Sequence, residues 1–192
     1  MAKRLLFLML LAVAPTTAVQ AAGATGNVYQ VEVVVFENRL PDLEGGEIWS
    51  RDRVKTEIAD AAEAVNAAAT PAPNSPLSAA AAALEKSGRH HVLAHLTWEQ
   101  NVDAKSVTKP VKIDDSTGEL NGTLRFYLSR FLFVDIDLAL KEQAGGGFLG
   151  GAGQEAPVYR LDDHRRVRIA EINYFDHPKF GALVRVAPIK TN

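Results

Sequence analysis

The sequence contains no cysteine among its 192 residues. This absence excludes disulfide bonds and cysteine nucleophiles, and it excludes a lipid anchor attached through a lipobox cysteine. The chain also lacks an excess of basic residues, with 21 Lys and Arg against 23 Asp and Glu. Nucleic-acid-binding domains usually present a net basic surface, so this balance argues against a nucleic-acid partner. The fold must be held by its hydrophobic core alone.

Apolar runs of membrane-spanning length are also lacking, and the extended apolar stretch of the chain lies at its N-terminus. Lys3 and Arg4 precede the apolar stretch Leu5–Ala14, and small residues follow it. That stretch is about half of the ~20 residues that a membrane-spanning helix needs, and its setting is typical of a secretory signal peptide. We therefore expect residues 1–22 to be a signal peptide, with an uncleaved anchor as the alternative. The exported protein would be periplasmic, without stable membrane insertion, and losing Lys3 and Arg4 would leave 19 basic against 23 acidic residues.

Several segments of the remaining chain have the pattern of β-strands. VYQVEVVVFENR (28–39) is rich in β-branched residues, and RHHVLAHLTWEQ (89–100) and GTLRFYLSRFLFVDIDLAL (122–140) alternate between apolar and polar side chains. As one straight strand the third segment would be ~50–60 Å long, too long for a small domain. We therefore expect a bend or bulge near Ser129 and Arg130.

Helix-forming composition is limited to two stretches. Residues 53–69 have it without a clear pattern, whereas SPLSAAAAALEKSG (75–88) also has helix-end signals. Ser75 is the predicted N-cap and Gly88 the predicted C-cap of that helix. The Ala/Pro-rich residues 58–83 are interpreted as an insertion.

The last segment predicts a β-hairpin. Its arms are RRVRIAEINYF (165–175) and ALVRVAPI (182–189), joined by a turn in which Pro178 sets the second position and Gly181 takes a positive φ. A second insertion, glycine-rich, covers residues 141–157. Together these elements predict that residues 23–192 form a single α+β domain, mainly antiparallel β-sheet, with a few helices packed on one face.

Motifs for nucleophilic catalysis and metal binding are scarce. The chain has neither G-x-S-x-G nor H-E-x-x-H, and its S-x-x-K match, SVTK (106–109), is followed at once by Pro110 in a loop-like context. His91 and His95 would stand ~13 Å apart along a strand, a distance that zinc–nitrogen bonds of ~2 Å cannot bridge. We predict no metal site, no cofactor and no catalytic residue.

Two segments carry a family resemblance. NGTLRFYLSRFLFVDIDL (121–138), followed by YRLDDHRRVRIAEINYFDHPKFGALVRVAP (159–188), resembles the CsiV-type family of periplasmic peptidoglycan-binding proteins. YQVEVVVFENR (29–39) and HHVLAHLTWEQ (90–100) are similar to two further strands of that family. The resemblance implies no enzymatic activity. It implies a cell-wall binder that assists a peptidoglycan synthase of the bifunctional penicillin-binding type.

The sequence departs from the family pattern at three positions. Phe131, Phe133 and Asn173 stand where tyrosine, histidine and histidine, respectively, are expected. A histidine cluster is therefore not predicted for this chain.

Aromatic and arginine side chains are the expected ligand-binding groups. Rings bind the apolar faces of sugars, and arginines pair with the carboxylates of peptide stems. Tyr127, Phe131 and Phe133 occupy odd positions opposite the aliphatic side of their segment, and Tyr174 and the arginine strand are expected to join them in the sheet. The predicted ligand-binding residues are Trp98, Tyr127, Phe131, Phe133, Arg165, Arg166, Arg168, Glu171, Tyr174 and His177.

Three alternatives stay open at this point. The aromatic rings could pack in the core while the arginines pair with carboxylates such as Asp162 and Asp163. The protein could instead be a metal- or carboxylate-dependent cell-wall hydrolase centred on Glu171, Asp176 and His177. It could also be a periplasmic adaptor that binds no ligand.

Overall fold

The computed structural model describes residues 27–39, 64–66, 74–103, 108–141 and 157–189. The predicted signal peptide, much of the Ala/Pro-rich insertion and nearly all of the Gly-rich insertion lie outside these residues. The described elements, in chain order, are β1 (Asn27–Asn38), β2 (Val65–Asn66), α1 (Ser78–Lys86), β3 (His90–Val102), β4 (Val111–Asp114), β5 (Leu120–Leu128), β6 (Leu132–Lys141), β7 (Val158–Arg166), β8 (Ile172–His177) and β9 (Phe180–Pro188).

The strands form two sheets that share one core. Sheet A has the order β3-β1-β9-β8, and sheet B has the order β2-β4-β5-β6-β7. All pairings are antiparallel except the short pairing of β2 with β4. The prediction of a mainly antiparallel protein is confirmed. The described residues hold one nine-residue helix rather than the few helices predicted. The α+β prediction therefore fits only loosely, because its helical content is small.

The core lies between the inner faces of the two sheets. Val31, Val33 and Val35 of β1 point inward from sheet A, and Leu124 and Phe126 of β5 point inward from sheet B; all five are fully buried. Each such side chain contributes about 1.5–3 kcal/mol by leaving water. Alternation with period two produces this arrangement, because successive side chains of a strand point to opposite faces.

The predicted bend near Ser129 and Arg130 is a hairpin turn between β5 and β6. The Ser129 N–H donates to the Phe131 carbonyl at 3.0 Å, and Leu128 lies directly opposite Leu132. Residues opposite each other in an antiparallel pair share a face, so this three-residue turn keeps the even positions on the inner face across both strands. The aliphatic side predicted for the whole segment is therefore preserved.

The prediction of a final hairpin is confirmed for β8 and β9 and is wrong for the first part of its first arm. Residues 165–175 do not form one arm, because β7 ends at Arg166 in sheet B and β8 begins at Ile172 in sheet A. Between them the chain crosses from one sheet to the other, with Ala170 at φ 61° donating its N–H to the Val186 carbonyl at 2.7 Å. The hairpin that does form joins β8 to β9 through Pro178 and Lys179.

Gly181 does not take the positive φ that the sequence predicted. It lies within β9 opposite Asp176, where a Cβ atom would be 3.0 Å from both Phe36 Cζ and Tyr174 Cε2. The absence of a side chain makes room for these two rings.

Helix α1 covers part of the outer face of sheet A. Leu77 and Ala81 pack on Val34, beside the partly buried Leu183. Ser75 is not its N-cap and Gly88 is not its C-cap, since these positions belong to Leu77 and Ser87. Within the described residues, no helix combines the length and the apolar character needed to cross a membrane.

Strand β2 lies within residues 53–69, whose composition favours a helix. That expectation is therefore wrong for Val65 and Asn66. Val65 and Asn66 pair with Val111 and Lys112 of β4. The rest of the predicted stretch, apart from residue 64, lies outside the described residues.

Candidate functional site

The outer face of sheet B carries a cluster of three rings, Tyr127, Phe133 and His164, which we call the ring cluster. Tyr127 lies directly opposite Phe133, and His164 lies diagonal to Phe133 on the next strand. The ring centroids are 5.7 Å apart for Tyr127–Phe133, 5.2 Å for Phe133–His164 and 6.4 Å for Tyr127–His164, with planes within 28° of one another. Because all three distances are similar, the rings form a triangle rather than a column. They therefore cover one patch of the sheet.

Asp135 holds the ring cluster in place. Its carboxylate contacts His164 Nδ1 and lies 3.4 Å from Arg125 Nε. An ionised carboxylate only accepts hydrogen bonds, so His164 presents an Nδ1–H toward it. Partial burial, followed by the negative charge of Asp135, raises the pKa of Tyr127 above its usual value. The phenol therefore keeps its O–H, which hydrogen-bonds to Asp135.

A second flat group adjoins the ring cluster at the hairpin end of β5 and β6. The Arg166 guanidinium carbon lies 3.7 Å from the ring centroid of Phe131, and that of Arg130 lies at 5.5 Å. Cations over a ring face are attracted by its quadrupole. Phe131 is 39% exposed, so this stacked pair extends the apolar patch toward solvent.

The other end of the same face is charged. Arg160 donates from Nε to Asp137 Oδ1 at 2.7 Å and from a terminal nitrogen to Oδ2 at 2.6 Å, and this pairing raises the pKa of the guanidinium. A shallow groove of about 220 Å³ lies between this pair and the ring cluster. Its lining includes Thr123, Arg125, Asp135, Asp137, Asp162 and His164.

The structure places several predicted ligand-binding residues away from this face. Trp98 is buried in the core, where its Nε1–H donates to Gln100 at 3.1 Å. Gln100 in turn donates to the Phe126 carbonyl at 2.8 Å and so connects the two sheets. Arg168 and Glu171 lie in the exposed crossover between the sheets, as an ion pair at 3.6 Å.

Arg165 points to the opposite side of sheet B from its neighbour Arg166. Its guanidinium lies 4.4 Å from the Phe175 ring centroid, donates to the Tyr174 carbonyl at 2.8 Å and pairs with Asp163. This side chain ties β7 of sheet B to β8 of sheet A.

Tyr174 belongs to the other sheet. It is 47% exposed on the outer face of sheet A, stacks on Phe36 at 6.2 Å and donates its O–H to Asp176 at 2.6 Å. The outer faces of the two sheets lie on opposite sides of the shared core, so Tyr174 cannot join Tyr127 and Phe133 in one surface. The expectation of a shared sheet is wrong for Tyr174 and confirmed for Arg166, which lies opposite Phe133 in sheet B.

The residues of the alternative hydrolase site do not converge. Asp176 and His177 are neighbours in β8 and therefore point to opposite faces of sheet A. Glu171 precedes β8 and lies about 18–20 Å from His177 along an extended chain. Within the described ranges, no group of three or more His, Asp or Glu residues is arranged to hold a metal ion.

His177 is buried on the inner face of sheet A. Its ring lies 5.2 Å from that of Phe180 and 5.9 Å from that of Tyr159, and its Nδ1 accepts from the Lys179 N–H at 3.1 Å. Burial lowers the pKa of His177; the charge of Asp176 opposes this effect and that of Lys179 adds to it.

This lowered pKa predicts a pH dependence of stability. The unfolded chain, with a histidine pKa near 6.5, takes up the proton first as pH falls, so the contribution of His177 is present above that pH and is lost below it. The slope from one proton is at most about 1.4 kcal/mol per pH unit. The test is urea denaturation of the wild type and His177→Asn from about pH 8 to about pH 5.5. The free energy of unfolding should fall less steeply with decreasing pH in the variant than in the wild type. The same dependence of unfolding free energy on pH in both proteins would contradict a contribution from His177.

Sequence reasoning missed His164, Arg125 and Asp135 as parts of the site. His164 follows two aspartates and precedes two arginines, a context that suggests solvent-exposed charge. Its place beside Phe133 depends on the register between β6 and β7, which pairs Asp135 with His164. No local pattern in the sequence specifies that register.

Comparison with known protein families identifies this chain with one of them. Residues 5–189 match the family described as "Peptidoglycan-binding protein, CsiV". This range covers nearly the whole chain and includes all of the described strands. No curated protein and no solved structure matches the chain.

Proposed function

The chain belongs to the CsiV family of peptidoglycan-binding proteins, and on that premise we propose that it is a periplasmic, non-enzymatic protein that binds peptidoglycan and assists a peptidoglycan synthase in cell-wall assembly. In this proposal, residues 1–22 are a cleaved signal peptide and residues 23–192 form a single domain. The proposed protein partner is a synthase of the bifunctional penicillin-binding type.

The observation that carries this proposal is the ring cluster on the outer face of sheet B. Sugar rings have apolar C–H faces that pack against aromatic side chains, while their hydroxyl edges take hydrogen bonds. The Phe131–Arg166 pair extends the same patch, and Asp135 fixes the orientation of His164. Side chains on paired strands are held more rigidly than those on loops, which suits a preformed binding surface.

Retention on isolated sacculi tests the proposal. We expect the purified protein to sediment with sacculi and the double variant Tyr127→Ala/Phe133→Ala to bind roughly 30-fold more weakly, since each ring contributes about 1 kcal/mol. Circular dichroism and thermal unfolding should show that the variant keeps its fold, because both side chains lie on the outer face.

Tyr174→Ala is the matched control. It also removes a partly exposed tyrosine, but from the opposite side of the protein, and it should leave retention unchanged. Equal loss of retention in both variants would show that binding does not depend specifically on the outer face of sheet B. Wild-type protein retained no better than an unrelated protein would count against direct wall binding and leave only a role through a protein partner.

A further inference from the structure

The charges on the outer face of sheet B bear on which part of peptidoglycan it binds. The polymer combines glycan strands, whose sugars are largely uncharged along their faces and edges, with peptide stems that carry carboxylates. A receptor for stem carboxylates needs cations with available donors, whereas a receptor for sugars needs ring surface and polar groups at its rim.

Three cations on the described part of this face already pair with carboxylates of the protein. Three pairs are involved, with nitrogen–oxygen distances of 2.9, 3.4 and 2.6 Å: Lys112–Asp114, Arg125–Asp135 and Arg160–Asp137. The Arg160 pair uses both of its fork donors on one carboxylate. A second carboxylate would have to displace Asp137, and it would lose a bidentate, partly buried hydrogen-bonded pair in doing so.

Two further cations, at the hairpin end of this face, stack on a ring. Arg166 and, at greater distance, Arg130 lie over Phe131. A stacked guanidinium keeps its N–H groups in the plane parallel to the ring, where they can donate to sugar hydroxyl or acetamido oxygens as well as to carboxylates. Arg166 can therefore take part in either mode of recognition. Its substitution shows which mode is used, because the two modes predict different losses on intact and stripped polymer.

From this charge pairing, together with the ring cluster, we infer that the outer face of sheet B binds the glycan strand of peptidoglycan and not its peptide stems. The inference rests on the proposed function and names the part of the polymer that the same site contacts. The ring cluster packs on a sugar face, the Tyr127 hydroxyl oxygen, whose hydrogen bonds to Asp135, accepts at its edge, and the internally paired charges leave little attraction for stem carboxylates. Retention should therefore depend on rings and only weakly on salt.

Removing the peptides from the polymer tests this inference. We expect the purified protein to bind glycan strands stripped of peptide by an amidase within about threefold of its affinity for intact sacculi, with the released stem peptides failing to compete. Stripping leaves carboxylates on the lactyl groups of the glycan, so the measurement is repeated from about 50 to about 500 mM salt. Retention should change by less than about threefold across that range.

Two variants separate the modes of recognition. Tyr127→Ala/Phe133→Ala should lose affinity equally for intact and stripped polymer, and Arg166→Gln, which removes the charge and the stacked guanidinium, should lose affinity for both polymers to the same extent. A tenfold or greater loss on stripping, competition by stem peptides, strong salt dependence, or a loss in Arg166→Gln confined to intact polymer would overturn the glycan assignment while leaving wall binding intact. Absence of binding to intact sacculi would overturn the proposed function and this inference together.

Discussion

Replacing Gly122 with alanine is expected to lower the free energy of unfolding by about 3 kcal/mol. Gly122 lies in β5 opposite Leu138 of β6, in the middle of sheet B. A Cβ atom at this position would be 2.5 Å from Leu138 Cδ2, 2.8 Å from Leu138 Cα and closer still to the Asp137 carbonyl oxygen. Two of these atoms belong to the backbone, so rotation of a side chain cannot relieve the clash and the two strands must separate.

Urea denaturation followed by tryptophan fluorescence measures this effect. Asn121→Ala is the matched control, because Asn121 is the exposed neighbour of Gly122 in the same strand and should change stability by no more than about 0.5 kcal/mol. Equal stability of the two variants would show that β5 and β6 can move apart at no cost at this point, contrary to the packing described.

Replacing Glu32 with alanine is expected to cost about 3–5 kcal/mol of stability. Glu32 is 1% exposed although it lies on the helix-covered face of β1. Its Oε1 accepts from the Leu77 N–H at 3.1 Å and from the Ser75 hydroxyl at 2.5 Å, and it lies 2.7 Å from His95 Nε2. Alanine would leave these groups without their common partner next to the start of α1, where helical N–H groups lack partners within the helix.

Chemical denaturation of Glu32→Ala and Glu99→Ala compares this buried carboxyl with an exposed one of the neighbouring strand β3. Glu99→Ala should be near neutral. Glu32→Gln should lose less than Glu32→Ala, since its amide oxygen can still accept from Leu77. Equal losses for the two alanine variants would show that Glu32 does not hold α1 on sheet A.

The face of each side chain was predictable wherever alternation was strong. The odd positions Tyr127 and Phe133 were predicted to lie opposite the aliphatic side, and they lie on the outer face of sheet B. The interruption near Ser129 and Arg130 was also predicted, because a strand of that length exceeds the size of a small domain. Such predictions succeed since the direction of a side chain in a strand depends only on its position within that strand.

The composition of the candidate site was predictable only in part. Arg165 and Arg166 are neighbours in sequence, yet one reaches the Phe175 ring in sheet A and the other covers Phe131 on the outer face of sheet B. Trp98, which carries part of the family resemblance, is a core residue that helps to join the sheets. Tyr174 was grouped with Tyr127 because the crossover after Arg166 has no strong breaking residue to announce it.

The amino-acid order alone was enough to establish the family, the approximate positions of the main strands, their inner and outer sides and the absence of thiol chemistry. These properties follow from local periodicity, motifs and composition. Long-range pairing was needed to bring His164 beside Phe133 and to set Glu32 against Leu77, which is 45 positions away. Strand register and sheet order arise from backbone hydrogen bonds between distant segments and from burial of both inner faces together, and no short stretch of sequence contains that information.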